Sequence, residues 1–238
     1  MKYTNAPIKE AVFDIQVFNI NEISQVSLDE IHLLIKEKYP NKRKVFNFSS
    51  SIDLQESGSI SNDTKSEFKG VIFSNKNSQK QVQYRNDGFS LNFLSPYSNW
   101  NEFFNEAVEL WNIYVSILKP TKVNRIALKY INKIDIPLPI NNFQDYVTNM
   151  PPIPKSLPQM YNHFFMQIQV PCEDSRYSAV ITETMETPTD KIIPFILDID
   201  VFKNVENDFE INDFNYLRDV KNIIFEDFIT DNTRKLFN

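Results

Sequence analysis

The stretch from Gln81 to Ile136 constrains the fold more than any other, because a hairpin, a long helix and a long strand follow one another there without a break. Trp100, Phe103, Phe104, Ala107, Val108, Trp111, Tyr114, Val115 and Leu118 recur at three- and four-residue spacing, which marks the apolar stripe of an α-helix. Leu110, Ile113 and Ile117 widen that stripe until only a narrow polar strip is left. A helix with so little polar surface has to lie on a sheet. Asn99 stands at its N-cap with Glu102 at the capping-box position, and Pro120 closes the other end. In the strand that follows, Asn124, Ile126, Leu128, Tyr130, Asn132, Ile134 and Ile136 fall on one face. Val123, Arg125, Ala127, Lys129, Ile131, Lys133 and Asp135 fall on the other. Tyr130 is therefore expected beneath the aromatic helix, with three cations turned outward.

The rest of the chain reads as strands and helices of the same kind. Ala11, Phe13, Ile15 and Val17 alternate with Val12, Asp14, Gln16 and Phe18, so Asp14 and Gln16 should face water or a partner. Ser27 followed by Glu30 predicts a capped helix with Leu28, Ile31, Leu34, Ile35 and Tyr39 inward, stopped by Pro40. Lys44 to Phe48 is a short strand, and the serine-rich stretch 49–66 carries too few apolar residues to bury and is expected as a long mobile loop. Val71 to Ser74 and Val82 to Arg85 resume the strand pattern, and Asn86-Asp87-Gly88 turns the second into Phe89, Leu91 and Phe93. Between Pro137 and Pro158 lie six of the 13 prolines, around a short helix expected at Phe143 to Met150. Three strands then run from Phe164 to Val170, Ala179 to Met185 and Ile192 to Phe202 as an antiparallel meander. Asn212 or Asp213 caps a final helix that buries Phe214, Leu217, Val220, Ile224, Phe225, Phe228 and Ile229, with Arg234 and Lys235 in its last turn.

The class is α+β: mostly antiparallel sheet with long amphipathic helices packed on one face. An N-terminal lobe over 1–140, a proline-rich connector over 141–160 and a C-terminal lobe over 161–238 are expected, able to pack as one domain. Each half contains antiparallel strands followed by a long amphipathic helix, and Val12 to Val17 faintly echoes Phe165 to Val170, a hint of two similar lobes.

Composition excludes several chemistries. With only Gly58, Gly70 and Gly88, the chain has no G-x-G-x-x-G, G-x-x-x-x-G-K-[ST] or G-x-S-x-G, so Rossmann, P-loop and nucleophile-elbow enzymes drop out. Cys172 is the single cysteine, which rules out an internal disulfide and a cysteine zinc cluster and fits a reducing compartment. No run approaches 18 apolar residues, and a cytoplasmic chain without membrane partners is expected. The net charge of −6 disfavours generic nucleic-acid binding, although a local basic face remains able to hold an anion.

Four segments together carry a resemblance: Asn5-Ala6-Pro7-Ile8 with Glu10-Ala11, Trp100 heading the central helix, Arg125 through Asn132, and a terminal helix with Phe225, Phe228, Ile229, Thr230 and Arg234. The chain resembles, over nearly its whole length, a sporadically distributed bacterial family of proteins of similar size. The resemblance carries over only these motif positions. Patchy distribution of that kind is common for genes of mobile elements or phage-defence loci.

Four patterns are candidates for chemistry. Arg125, Lys129 and Lys133 form a ladder at steps of roughly 13 Å that can grip phosphates or a partner's carboxylates; a charge run of this sort also serves as a solvated face paired to neighbouring strands. Asp198 and Asp200 lie about 7 Å apart on one strand face and would hold Mg²⁺ if Glu183 came from the adjacent strand. Cys172, or a serine with His163, lacks a recognisable activating partner, and His32 reads as a structural histidine. Most aromatics occupy the apolar phase, Phe18, Phe165 and Phe202 being exceptions. A binding or regulatory protein without catalysis follows, recognising a macromolecular partner or an anionic ligand through Asp14, Gln16, Arg125, Lys129 and Lys133. The alternatives are a Mg²⁺-dependent phosphodiesterase or nuclease built on Asp198, Asp200 and Glu183, and a structural subunit of an oligomer. No resident metal or cofactor is expected for the leading reading.

Overall fold

The computed structural model describes residues 3–18, 23–54, 60–206 and 209–238. Its elements in order are β1 (Ile8–Phe18), α1 (Gln25–Ile35), β2 (Asn41–Leu54), β3 (Ile60–Ser74), β4 (Lys80–Arg85), β5 (Gly88–Leu94), α2 (Trp100–Leu118), β6 (Lys122–Pro137), β7 (Phe165–Pro171), β8 (Tyr177–Met185), β9 (Ile192–Asn204), α3 (Asp213–Phe228) and α4 (Asp231–Lys235). The described strands form one nine-stranded sheet in the order β2-β3-β4-β5-β1-β6-β9-β8-β7. Every pairing is antiparallel. With its helices the molecule is an α+β protein dominated by sheet.

The central register explains the core. Phe13 of β1 sits opposite Leu91 of β5 and Leu128 of β6, so the apolar phases of three strands merge into one surface. The helices cover that surface. Asn99 caps α2 by accepting the Glu102 N–H at 3.0 Å, as the sequence predicts. From α2, Phe103 meets Phe93 at 4.9 Å between ring centres, and Tyr114 stacks on Tyr84. From α3, Phe214 lies flat on Phe13 with 3.6 Å between ring centres. Each such fully buried ring contributes about 2 kcal/mol from the area it removes from water. Gly88 is the one residue that lets β5 run so close to β1, since a Cβ there would stand 2.3 Å from the Ile15 carbonyl oxygen.

Several expectations are corrected. The described part of the stretch 49–66 is strand, not loop: β2 and β3 pair from Ser49 opposite Lys65 to Leu54 opposite Ile60, and residues 55–59 lie outside the described set. β3 pairs with β4 only over Gly70 to Ser74, so the remainder is a two-stranded ribbon. Such a ribbon satisfies its backbone by pairing, without needing apolar burial. The cap of α1 is Ser24, which accepts the Ser27 N–H at 3.0 Å, and Leu34 is 64% exposed. Only a single 3-10 turn, Phe143–Asp145, forms where a short helix to Met150 was expected. The final helix breaks at Ile229, whose extended backbone bridges to Val147, so Arg234 and Lys235 belong to α4.

The halves do not stand apart. β6 pairs with β1 on one side and β9 on the other, which carries the sheet straight across the 141–160 boundary. The connector itself folds onto the core, where Phe143 packs edge-on against Tyr161. Outward from the β1–β6 pair the order is β5, β4, β3 on one side and β9, β8, β7 on the other. The positional counterpart of β1 is thus β6, not β7 as the echo between Val12–Val17 and Phe165–Val170 implied.

Candidate functional site

The face of the sheet opposite the helices carries the predicted ladder. Arg125 lies 3.1 Å from Asp200 and 3.9 Å from Asp14, Lys129 lies 2.8 Å from Asp198, and Lys133 lies 2.6 Å from Glu186. Asp14 is also bound by Arg85 at 2.8 Å. Gln16, half-buried, stands opposite Arg125 in the β1–β6 register. The Arg125 guanidinium lies 4.5 Å from the Phe202 ring centre, which accounts for that phenylalanine on the polar phase. Every rung thus has an acidic neighbour on an adjoining strand or loop. The face is electrostatically closed on itself.

The carboxylate site is split by the sheet. Asp198 and Asp200 are on this open face, but Glu183 pairs with Leu197 and points with it to the helix side. No register of β8 on β9 brings Glu183 round without inverting every residue of the strand. The residue is 1% exposed, and among the described residues neither carboxylate oxygen has a hydrogen-bond partner. Burial pushes its carboxyl up to about 7. Among the described residues no cluster of three or more His, Cys, Asp or Glu is placed to hold a metal ion. The remaining sequence candidates have ordinary surroundings. His32 stacks on Phe73, His163 is exposed, and burial raises the Cys172 thiol rather than activating it.

On the helix side a cavity of about 850 Å³ opens between the N-terminal segment, the β5–α2 loop, β6 and α3. Backbone bonds seat its walls: the Asn5 N–H donates to the Phe237 carbonyl, Lys133 N–H to the Pro7 carbonyl, and Ser95 N–H to the Lys9 carbonyl. The floor is aromatic. Tyr130 is 2% exposed, and its hydroxyl is 2.9 Å from that of Tyr97. Burial pushes the Tyr97 hydroxyl up to about 12 and that of Tyr130 well above its ordinary value, so both keep their protons at neutral pH.

Two cations of α3 face this space. The inward stripe of α3 is Phe214, Leu217, Lys221 and Phe225, so Lys221 occupies a position the helical period reserves for an apolar residue. It is 9% exposed, with Nζ 3.9 Å from the centre of the Tyr130 ring. Arg218, one turn earlier, lies 5.5 Å from the Trp100 ring centre. Among the described residues neither has a carboxylate partner. Nearby acids are already engaged: Asp213 by Lys203 at 2.7 Å, and Glu226 by Arg234 at 3.0 Å and the Tyr3 hydroxyl at 2.8 Å. Burial, then the Arg218 charge, pushes the Lys221 amine down to about 7, with Glu226 opposing.

None of the five predicted contact residues lines this cavity. It is bordered instead by Asn5, Ala6, Pro7, Ile8, Trp100, Tyr130, Asn132 and Phe225, besides Arg218 and Lys221. Its chemistry suits an anion: Arg218 and Lys221 form no ion pair among the described residues, the one lining carboxylate, Glu226, is held by Arg234 and Tyr3, and the remaining walls are amides, hydroxyls and aromatic rings. A second cleft, beside α2, holds Lys38, Lys80, Glu102, Glu106 and Glu109, but its lysines pair with its glutamates. Comparison of the chain with protein-family models, curated proteins and solved structures finds no match in any of the three. No helix among the described residues is long and apolar enough to cross a membrane.

Proposed function

We propose that this is a ligand-binding protein that holds an anionic small molecule in the cavity between α3 and the N-terminal segment. One observation supports this above the rest: among the described residues Arg218 and Lys221 line the cavity without forming an ion pair, whereas each cation of the sheet ladder forms one. A buried cation left without a counter-charge destabilises a fold. A bound anion supplies the missing charge and turns that cost into affinity. The cavity lies within the range of small-molecule sites, and its polar groups are few enough to orient a ligand against aromatic walls.

Thermal unfolding in inorganic phosphate, citrate and a set of monocarboxylates, at constant ionic strength, tests the assignment. The wild-type chain should gain about 2.7 kcal/mol at a hundredfold excess over Kd. Arg218→Ala should lose that gain, while Arg125→Ala should keep it. Equal stabilisation of both variants by every anion would remove the cavity from consideration.

A further inference from the structure

We propose that Lys221 is a nucleophilic amine that captures a carbonyl-bearing anion as an imine, with Arg218 anchoring the ligand's anionic group. Lys221 can act so only if the cavity is the anion site proposed above, and the two ideas are tested separately below.

An amine attacks a carbonyl only when it is neutral, and the two devices that keep a lysine neutral near pH 7 are desolvation and a neighbouring cation. Lys221 has both. It is 9% exposed, it sits on the face of the Tyr130 ring, and Arg218 lies one helical turn away on the same face of α3. The groups that bear on it are Arg218, Glu226 and the Tyr97 and Tyr130 hydroxyls, and Glu226 is already held by Tyr3 and Arg234. Desolvation and the Arg218 charge outweigh the opposing Glu226, and the amine falls to about 7. The two residues thus divide the work, the planar fork of the arginine anchoring the anion and the lysine supplying the nucleophile.

The step balances without any co-reactant. The Lys221 nitrogen forms a bond to the carbonyl carbon, and the displaced electron pair of the C=O bond goes to oxygen, which takes up a proton. Nitrogen gives up its first proton to leave a neutral carbinolamine. The hydroxyl takes up a second proton and leaves as water while the nitrogen lone pair closes the C=N bond, and loss of the second N–H proton gives the imine. Two protons thus leave nitrogen, two reach oxygen, and nothing is oxidised or reduced. The hydroxyls of Tyr97 and Tyr130 line the cavity, protonated at neutral pH; one donates to the other at 2.9 Å, which leaves the accepting hydroxyl's own proton free to donate to that oxygen. The ligand class is an aldehyde or ketone carrying a phosphate or carboxylate, of a size the cavity of about 850 Å³ can surround.

Pyridoxal 5′-phosphate is a suitable probe, because it joins an aldehyde, a phosphate and an aromatic ring. The full chain is incubated with one equivalent at pH 7.5, reduced with borohydride and mapped by peptide mass. Label should concentrate on Lys221 by at least about tenfold over any other lysine. Inorganic phosphate should compete, and Arg218→Ala should lower labelling about tenfold, the loss expected for one charge-assisted contact. Arg218→Lys should restore part of it. The wild-type rate of adduct formation should rise with pH through a midpoint near 7, a readout that does not depend on any variant folding. Label spread over exposed lysines that spares Lys221 would overturn the proposal. If phosphate and pyridoxal phosphate still raise the melting temperature in an Arg218-dependent way but no reducible adduct forms, the imine is refuted while the anion site stands. If neither compound distinguishes wild type from Arg218→Ala, both fail together.

Discussion

α2 and α3 occupy corresponding places: each follows the strand that flanks the central β1–β6 pair, β5 in one half and β9 in the other, and both pack on the same face of the sheet. Their inward stripes differ. α2 buries Phe103, Ala107, Leu110, Trp111 and Tyr114, whereas α3 buries Phe214, Leu217, Lys221 and Phe225. A stripe that only had to hold the fold together would have no use for the lysine, since a methionine of similar length would fill the space without desolvating an amine. The same half buries Glu183, unpartnered among the described residues, on the helix side of β8. The first half is therefore built for packing, and the second keeps polar groups where packing alone would discard them.

The largest effect should come from breaking the packing half. Phe103 is fully buried and meets Phe93, Tyr97 and Tyr130. Phe103→Ala is expected to cost about 3–5 kcal/mol in chemical denaturation, from lost burial plus the cavity left behind. A cost under about 1 kcal/mol would mean that α2 is not the structural helix of the pair.

Glu183 gives the next largest effect and sharpens the contrast through pH. Its carboxyl is raised to about 7 in the folded chain, against about 4.3 when unfolded. The folded state thus holds the proton more tightly than the unfolded one. Stability from this group is complete below about pH 4 and declines as pH rises through about 7. Glu183→Gln removes the decline: no gain at pH 4, and a gain of about 2–3 kcal/mol at pH 8, read from denaturation midpoints at the two pH values. An equal gain at both would point to packing rather than ionisation.

Lys221 has the opposite sign. Its folded pKa of about 7 lies below the unfolded value, so the unfolded chain binds the proton more tightly. Its contribution is most favourable in alkali and weakens as pH falls towards 7. Lys221→Met should raise stability by about 1–2 kcal/mol near neutrality, flatten the rise between pH 7 and 10, and weaken stabilisation by anions without abolishing it, since Arg218 is the anchor. A stability gain with anion binding intact would assign the site to Arg218 alone.

Local pattern made half of this arrangement legible. α2, its Asn99 cap, the β4–β5 hairpin and the alternation of β6 follow from spacings within one element, where burial and period agree. The β2–β3 ribbon escaped because its strands pair with each other instead of alternating apolar and polar residues. Lys221 carried a readable signal, the spacing Phe214, Leu217, Lys221, Phe225, but reading only apolar residues directs attention to Val220 and Ile224, both of which are only half-buried. The partners of the ladder and the face of Glu183 depend on strands far apart in the chain, and register between those strands is set by the assembled sheet.

The smallest effect should come from the ladder, and it tests whether pairing is what separates its cations from those of α3. Lys133 bonds Glu186 at 2.6 Å, with the lysine side chain 24% and the glutamate 52% exposed. The glutamate's direct interaction raises the amine's pKa, but a pair so open to solvent is screened and has to restrain two flexible side chains. Lys133→Ala is therefore expected to change stability by no more than about 0.5 kcal/mol, and less in high salt. Anion-induced stabilisation should be untouched, because Lys133 lies on the opposite side of the sheet from the cavity. A loss of anion binding in this variant, at unchanged stability, would move the site from α3 to the ladder and make the sheet face, not the helix, the functional half of the molecule.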